Sequence, residues 1–270
     1  MHQSTIRRSS KQSANIKLRL FMKILYFTAT GNNLYIAKHF EAELLSIPQL
    51  VNDDVYNIED DAVGIVYPVY YGIVPKMVEK YLKKATIKTD YLFAVCSYGS
   101  NGDVNSLKYL DKLLNHRLNY MNSVLMVDNY ILMFDMAEEK AKKDIAIIDS
   151  KISAIKEDIK NRKETKYQSD LMGSIFANMG KAYRSLNKYI CKIEMSHEDC
   201  ISCQICCKVC PTNNIKITDK ILQMGDSCEF CLSCVHNCKQ HAISTKPQKG
   251  SERYINPEIK VSEIIKSNSS

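Results

Sequence analysis

The sequence predicts an α/β protein: a doubly wound five-stranded parallel sheet followed by a small, cysteine-rich α+β module. Three observations carry this prediction. Short, almost wholly apolar runs alternate with amphipathic stretches from Lys23 to Val127. Strands of that kind are buried on both faces, and each parallel crossover needs a long connection, usually a helix. Nine of the eleven cysteines lie beyond residue 195, the exceptions being Cys96 and Cys191, and within that region one cysteine spacing occurs twice.

In chain order, the acid-free leader at residues 1–21 carries Arg7, Arg8, Lys11, Lys17 and Arg19, has no periodicity, and reads as a disordered tail or a misplaced start. The first strand is "KILYFT", followed by a helix over 33–45 and a weaker strand near Leu50 and Val51. Then come the strand "AVGIVY", a helix over 75–84, the strand "YLFAVC", a helix over 104–115 and the strand "SVLMV". Residues 137–163 read as one long charged helix, with Ala141, Ile145, Ile148, Ile152, Ile155 and Ile159 as the stripe that docks on the sheet. A second helix near 171–190, with Leu171, Ile175, Met179, Tyr183, Leu186 and Ile190 in register, reads as a connector. The domain boundaries expected are therefore 1–21 leader, 22–165 sheet domain, 166–195 connector, 196–250 cysteine module and 251–270 a tail that packs back.

Composition narrows the function classes. The formal net charge of +7 owes five charges to the leader, and the rest of the chain is nearly balanced, which weakens a nucleic-acid reading. No run approaches the roughly 18 uninterrupted apolar residues of a membrane span. An odd cysteine count, 25% charged residues and no signal-peptide pattern point to a reducing, cytoplasmic compartment, where dense cysteines bind metal more often than they form disulfides.

Cys200, Cys203, Cys206 and Cys210 stand at spacings x2, x2, x3, followed by Pro211; Cys228, Cys231, Cys234 and Cys238 repeat the spacing, with Lys239 in the proline's place. Three thiolates from one tight loop hold three irons of a cubane, and the fourth ligand crosses from the other run. The pattern thus assigns Cys200, Cys203, Cys206 and Cys238 to one [4Fe-4S] cluster and Cys228, Cys231, Cys234 and Cys210 to a second. A zinc ribbon built on two Cys-x2-Cys pairs strands four of these eight thiols. The C-x3-C-x2-C spacing of Cys203, Cys207 and Cys210 abandons Cys200, Cys206 and the whole second run. Cys207 is then a spare packed residue, Cys96 a buried small one, and His236 and His241 take loop or surface roles. The segment "NNIKITDKILQMGDS" supplies a hairpin between the runs.

After the first strand comes "TATGNN", residues 28–33, leading into a helix. Hydroxyls, a glycine for close approach and the first N–H groups of a helix make a phosphate cradle, while a plainer reading has Thr28 and Asn32 capping the helix. "YPVYYGIVP" and "CSYGSNGD" end the next two central strands and bring aromatic and glycine loops to the same sheet edge, where a flat ring would sit. No G-x-G-x-x-G or Walker sequence occurs.

On these motifs, residues 22 to about 165 resemble a flavodoxin, whose phosphate loop is usually S/T-x-T-G-x-S/T. Residues 196 to about 246 resemble a two-cluster bacterial ferredoxin. The whole, with "DNYI" after the fifth strand and "RY..P" past the cysteines, is similar to the flavodoxin-ferredoxin fusion proteins called ferrodoxins. The resemblance implies a flavodoxin-like sheet domain plus a ferredoxin-like two-[4Fe-4S] domain. It also implies FMN, with its phosphate on Thr28, Ala29, Thr30, Gly31, Asn32 and Asn33 and its ring between Pro68, Tyr70, Tyr71 and Gly72 on one side and Ser97, Tyr98, Gly99, Gly102 and Asp103 on the other. Asn33 departs from the hydroxyl residue that usually ends the loop. The function expected is electron transfer between FMN and the clusters and on to redox partner proteins, with no nucleic acid and no membrane. An FMN-dependent reductase of a small acceptor and a cluster-based redox sensor stand as alternatives.

Overall fold

The computed structural model describes residues 22–165 and 171–268, with the side chains of residues 171–174, 176, 177 and 188 also set aside. The leader at 1–21 lies outside the described residues. Five strands, β1 (Met22–Tyr26), β2 (Glu43–Ser46), β3 (Ala62–Pro68), β4 (Tyr91–Tyr98) and β5 (Tyr120–Leu125), form one all-parallel sheet in the order β2-β1-β3-β4-β5. This is the 2-1-3-4-5 order of flavodoxin-like sheets, whose switch point, the place where a ligand crevice opens, falls between β1 and β3.

The helices that follow are α1 (Asn32–Lys38), α2 (Ile47–Asn52), α3 (Lys76–Lys84), α4 (Asp103–Leu113), α5 (Met136–Ala141), α6 (Ile145–Lys160) and α7 (Leu171–Ile190). Strand side chains alternate between two cores. Ile24, Tyr26, Val66, Phe93, Val95 and Val124 face α1 and α6. Leu25, Phe27, Ile65, Tyr67, Leu92 and Cys96 face α2, α3 and α4. Gly64 is required in β3, because a Cβ there would collide with the Phe93 ring.

Three elements differ from expectation. The first helix, expected over 33–45, ends at Lys38, and the second strand takes Glu43–Ser46 instead of lying near Leu50 and Val51, which belong to α2. Pro48, with its fixed φ and no N–H to donate, suits a first helical turn and stops the strand. The long helix expected at 137–163 is two helices. The Asp144 carboxylate accepts from Ala146 N–H at 2.8 Å and starts α6 afresh, leaving Ile145 exposed while Ile148, Ile152, Ile155 and Ile159 are buried.

The cysteine module consists of β6 (Lys192–Met195), α8 (Ile205–Lys208), the hairpin β7 (Ile215–Thr218) and β8 (Ile221–Met224), α9 (Ser233–His236) and β9 (Ile243–Lys246). Asp219 and Lys220, both at positive φ, close the hairpin as a two-residue turn. β6 pairs antiparallel with β9, so the module begins within the stretch expected to be connector. A third core joins the module to the main sheet: Val127, Ile131, Leu132 and Met136, from the chain beyond β5, pack with Cys206, Leu232, Val235 and Tyr254. The last helix, α10 (Val261–Asn268), returns to the first core through Ile264. Among the described residues, no helix is long and apolar enough to cross a membrane.

Candidate functional site

At the β1/β3 switch point the loop after β1 turns sharply into α1. Gly31 sits at φ +97°, a left-handed conformation that costs most side chains energy, and its N–H donates to Thr28 Oγ1 at 3.2 Å. The carbonyls of three successive loop residues are engaged away from the crevice. Thr28 O accepts from Asn268 Nδ2 at 3.2 Å, Ala29 O from Ser233 Oγ at 2.8 Å, and Thr30 O from Asn256 N–H at 2.8 Å. No side chain caps α1, so its first N–H groups have neither an intrahelical acceptor nor a cap.

This loop forms one wall of a cavity of about 800 Å³, within the range of cofactor sites. The cavity is lined by Thr28, Ala29, Thr30, Asn32, Asn33, Pro68, Tyr70, Tyr71, Gly72, Ser97, Tyr98, Gly99 and Gly102. Two residues assigned to the site from the sequence do not line it. Gly31 is backed by the C-terminal segment, where a Cβ would lie 3.0 Å from Ile259 Cβ. Asp103 is turned away, its carboxylate accepting from Ser123 Oγ at 2.6 Å. Asn32 lines the cavity with its side chain already committed, accepting from Tyr254 Oη at 2.6 Å and donating to Val127 O at 3.3 Å.

Several polar atoms of the wall are unsatisfied. Asn33 Oδ1 and the hydroxyls of Tyr70 and Tyr71 are buried with no hydrogen-bond partner among the described residues. Burial of a polar group without a partner is costly. Tyr70 and Tyr71 have their pKa values raised by burial, so both are neutral phenols able to donate. Tyr71, at φ +56°, and Gly72, at φ +74°, form the tip of a two-residue turn closed by Tyr70 N–H to Ile73 O and Ile73 N–H to Tyr70 O. A tyrosine held in the left-handed region at a cavity rim is strain of the kind that accompanies binding sites. Its ring lies 5.1 Å from Tyr183 and 6.0 Å, edge-on, from Tyr130.

Three segments of the wall were missed from sequence. The loop Asp128–Asn129–Tyr130 follows β5; Gly180 and Tyr183 come from α7; Phe230, Cys231 and Leu232 come from the second cysteine run. Gly99 admits the first, since a Cβ there would strike the Asp128 side chain, and Gly180 lets α7 reach the Tyr71 carbonyl. Burial raises the Asp128 carboxyl pKa. Only "DNYI", set against the flavodoxin pattern, hinted at any of these segments.

The two cysteine runs repeat in backbone as well as in spacing. Ser202 and Gln204, and equivalently Phe230 and Leu232, adopt positive φ. Ser202 N–H donates to Cys200 Sγ, and Phe230 N–H to Cys228 Sγ, each at 3.4 Å. Cys200, Cys203, Cys206 and Cys238 line one small apolar cavity, while Cys210, Cys228, Cys231 and Cys234 line another. Among the described residues, no three Cys, His, Asp or Glu side chains converge as they would on a single metal ion. Burial pushes the Cys228 thiol up to about 11 and raises Cys231, Cys234 and Cys206 as well. Cys207 lines neither cavity and packs at the edge of the third core. Cys96 is fully buried, and Cys191 lies against Asn187.

His236, expected in a loop or surface role, is 2% exposed. Its Nε2 lies 2.7 Å from Asn129 O and its Nδ1 accepts from Tyr254 N–H at 3.2 Å, which fixes the Nε2–H tautomer. Burial lowers its pKa to about 4. The reason is packing: α9 is pressed against the loop after β5 instead of facing solvent, and Asn129 in turn donates to Thr30 Oγ1 at 2.7 Å. His241 is exposed.

No protein-family model matches the sequence, and no curated protein shows significant sequence similarity to it. Solved structures similar to parts of the chain include a flavoprotein in complex with FMN from Lactobacillus acidophilus (12% identity, TM-score 0.30, covering 38% of this chain and 93% of that one). Rubredoxin oxygen:oxidoreductase from Desulfovibrio gigas matches at 15% identity and TM-score 0.28, over 49% of this chain and 36% of that one. An NADPH-quinone reductase from P. pentosaceus matches at 12% identity and TM-score 0.24, over 45% and 92%. Each spans less than half of this chain. The class is defined by the strand order and the switch-point crevice themselves: a flavodoxin-like α/β domain carrying a cysteine-rich module.

Proposed function

We propose that the chain is an electron-transfer protein that binds FMN in the large crevice and two [4Fe-4S] clusters in the two four-cysteine cavities. One observation carries this reading: Cys231 and Leu232 line both the large cavity and the cavity of Cys210, Cys228, Cys231 and Cys234, so cofactors in the two would be separated by a single wall. Each cysteine cavity contains the interleaved set that the spacing assigns, three ligands from one run and the fourth from the other. A cubane takes its thiolates at its outer corners, so it suits four sulfurs around a cavity, whereas zinc needs four sulfurs converging at about 2.3 Å from one point.

FMN takes up electrons in pairs and gives them up singly, and each cluster carries one, which is what a converter between two-electron and one-electron partners requires. The residues present perform the remaining tasks. Loop 28–33 offers backbone N–H groups and the Thr28 and Thr30 hydroxyls to an anionic group. Asn33, Tyr70 and Tyr71 line the same cavity, so a flat ring would lie against the two tyrosine side chains. Gly99 and Gly102 let the rim loops close on one another, since a Cβ on either would meet Asp128 or Gly72. Metal would hold the buried cysteines as thiolates, reversing the upward shift that burial imposes on the free thiols.

Anaerobic purification followed by iron, sulfide and flavin counts tests the reading. The expected result is about eight irons and one FMN per chain. Zinc in place of iron, about four irons, or iron without flavin would overturn it.

A further inference from the structure

The geometry points to Ser233 as a positioning residue for the phosphate end of the flavin site, so that this site is complete only when the second cysteine loop is seated against it. The inference rests on the FMN reading above and adds to it that the cysteine module builds part of the flavin site and is more than a neighbour of it.

Ser233 lies between Leu232 and Cys234 and is fully buried. Its hydroxyl donates to Ala29 O at 2.8 Å across 204 residues of sequence, and also accepts from Asn237 Nδ2 at 3.4 Å. The carbonyls on either side are held in the same way: Thr28 O by Asn268, whose amide also donates to Val209 O beside Cys210, and Thr30 O by the backbone of Asn256. All three donors lie in the cysteine module or the C-terminal segment behind it.

A trans peptide points its C=O and N–H in opposite directions. Holding the carbonyls of Thr28 and Ala29 against the cysteine module therefore turns the N–H groups of Ala29 and Thr30 the other way, toward the cavity that these residues line. An anion needs those N–H groups, and a flavin without phosphate does not. Without Ser233 the Ala29 carbonyl is left buried and unpaired, and the loop regains freedom to rotate that peptide, which costs the anion its aligned donor.

The test compares FMN with riboflavin, titrated by flavin fluorescence into protein whose own flavin has been removed under mild conditions with its clusters kept. Ser233→Ala is expected to weaken FMN about fivefold and to leave riboflavin affinity unchanged, with Ser233→Thr restoring FMN affinity through the retained hydroxyl. Asn268→Ala is expected to act in the same direction. Iron content per chain should stay at the wild-type value in Ser233→Ala, which separates the effect from loss of a cluster. Equal weakening of FMN and riboflavin, or unaltered FMN binding with wild-type iron, would overturn the positioning role. Wild-type protein that binds neither flavin would overturn the function itself, and this role with it.

Discussion

At the scale of single residues the site depends on positions where a side chain is excluded or held in an unusual conformation. Gly31 and Gly72 both have positive φ, but their surroundings differ. A Cβ on Gly31 would lie 3.0 Å from Ile259 and 3.1 Å from Asn256, whereas one on Gly72 would meet nothing within 4 Å. Gly72→Ala should therefore cost only the left-handed penalty of about 1 kcal/mol, while Gly31→Ala should add the displacement of the C-terminal segment and cost about 2 kcal/mol or more, read from urea denaturation. Equal losses at the two positions would mean that Ile259 and Asn256 yield freely. The grouping of the eight cysteines was legible in their spacing, since each small cavity collects three from one run and the fourth from the other. Loop 28–33 was legible as a cavity wall, Gly31 apart, because a strand that turns into a helix at the switch point puts the turn at the crevice. His236 was not: its role comes from Asn129, more than a hundred residues away, and nothing in its own neighbourhood announces that contact.

Among the elements, α7 shows where periodicity misleads. Ile175, Met179, Tyr183, Leu186 and Ile190 form a regular apolar stripe, yet they are 40–61% exposed, and among the described side chains Gly180, Arg184 and Asn187 dock, with Tyr183 against the Tyr71 ring. Among the described side chains, Gly180 meets the Tyr71 carbonyl and the Ile73 side chain, Asn187 Oδ1 accepts from Tyr130 Oη at 3.0 Å, and Arg184 donates to Val74 O at 3.1 Å. Arg184 also pairs with Glu79 of α3 at 2.8 Å, and Lys83 reaches the same carboxylate at 2.7 Å. Burial alone would raise the Glu79 pKa, but the hydrogen bonds from Lys83 and Arg184 outweigh it and hold the value at about 2. The folded-state pKa is thus depressed below the ordinary 4.5, so the contribution of this cluster is full above about 4.5 and is lost as the pH falls toward 2. Hydrogen exchange should show α7 loosening by about 2 kcal/mol over that window, and Glu79→Gln should abolish the pH dependence while lowering protection at neutral pH. Protection of α7 that is insensitive to pH in the wild-type chain would place its anchorage elsewhere.

For the molecule as a whole, two modules joined by a linker would be expected to unfold independently, as domains with modest interfaces do. The observed connections argue otherwise. The third core contains side chains from both modules, with Ile131, Leu232 and Val235 almost fully buried in it. The Glu229 carboxylate, in the second cysteine run, accepts from Lys76 N–H at 2.9 Å at the start of α3. The segment expected as a tail supplies Ile259 and Ile264 to the first core and Asn256 and Asn268 to the crevice loop. Beyond a tail that packs back, this integration could not be read from sequence, because each contact joins residues whose local patterns are complete without it: the cysteine runs are patterned by their own spacing, and a parallel sheet needs only its covering helices. Folding energy shared in this way makes the modules one cooperative unit. With the proposed clusters bound, the holoprotein should therefore lose cluster absorbance and far-ultraviolet dichroism with coincident midpoints in urea, and ending the chain at residue 250 should lower both midpoints together. Cluster loss at clearly lower urea, with the helical signal intact, would instead mean that the sheet domain stands alone and that the third core contributes little to it.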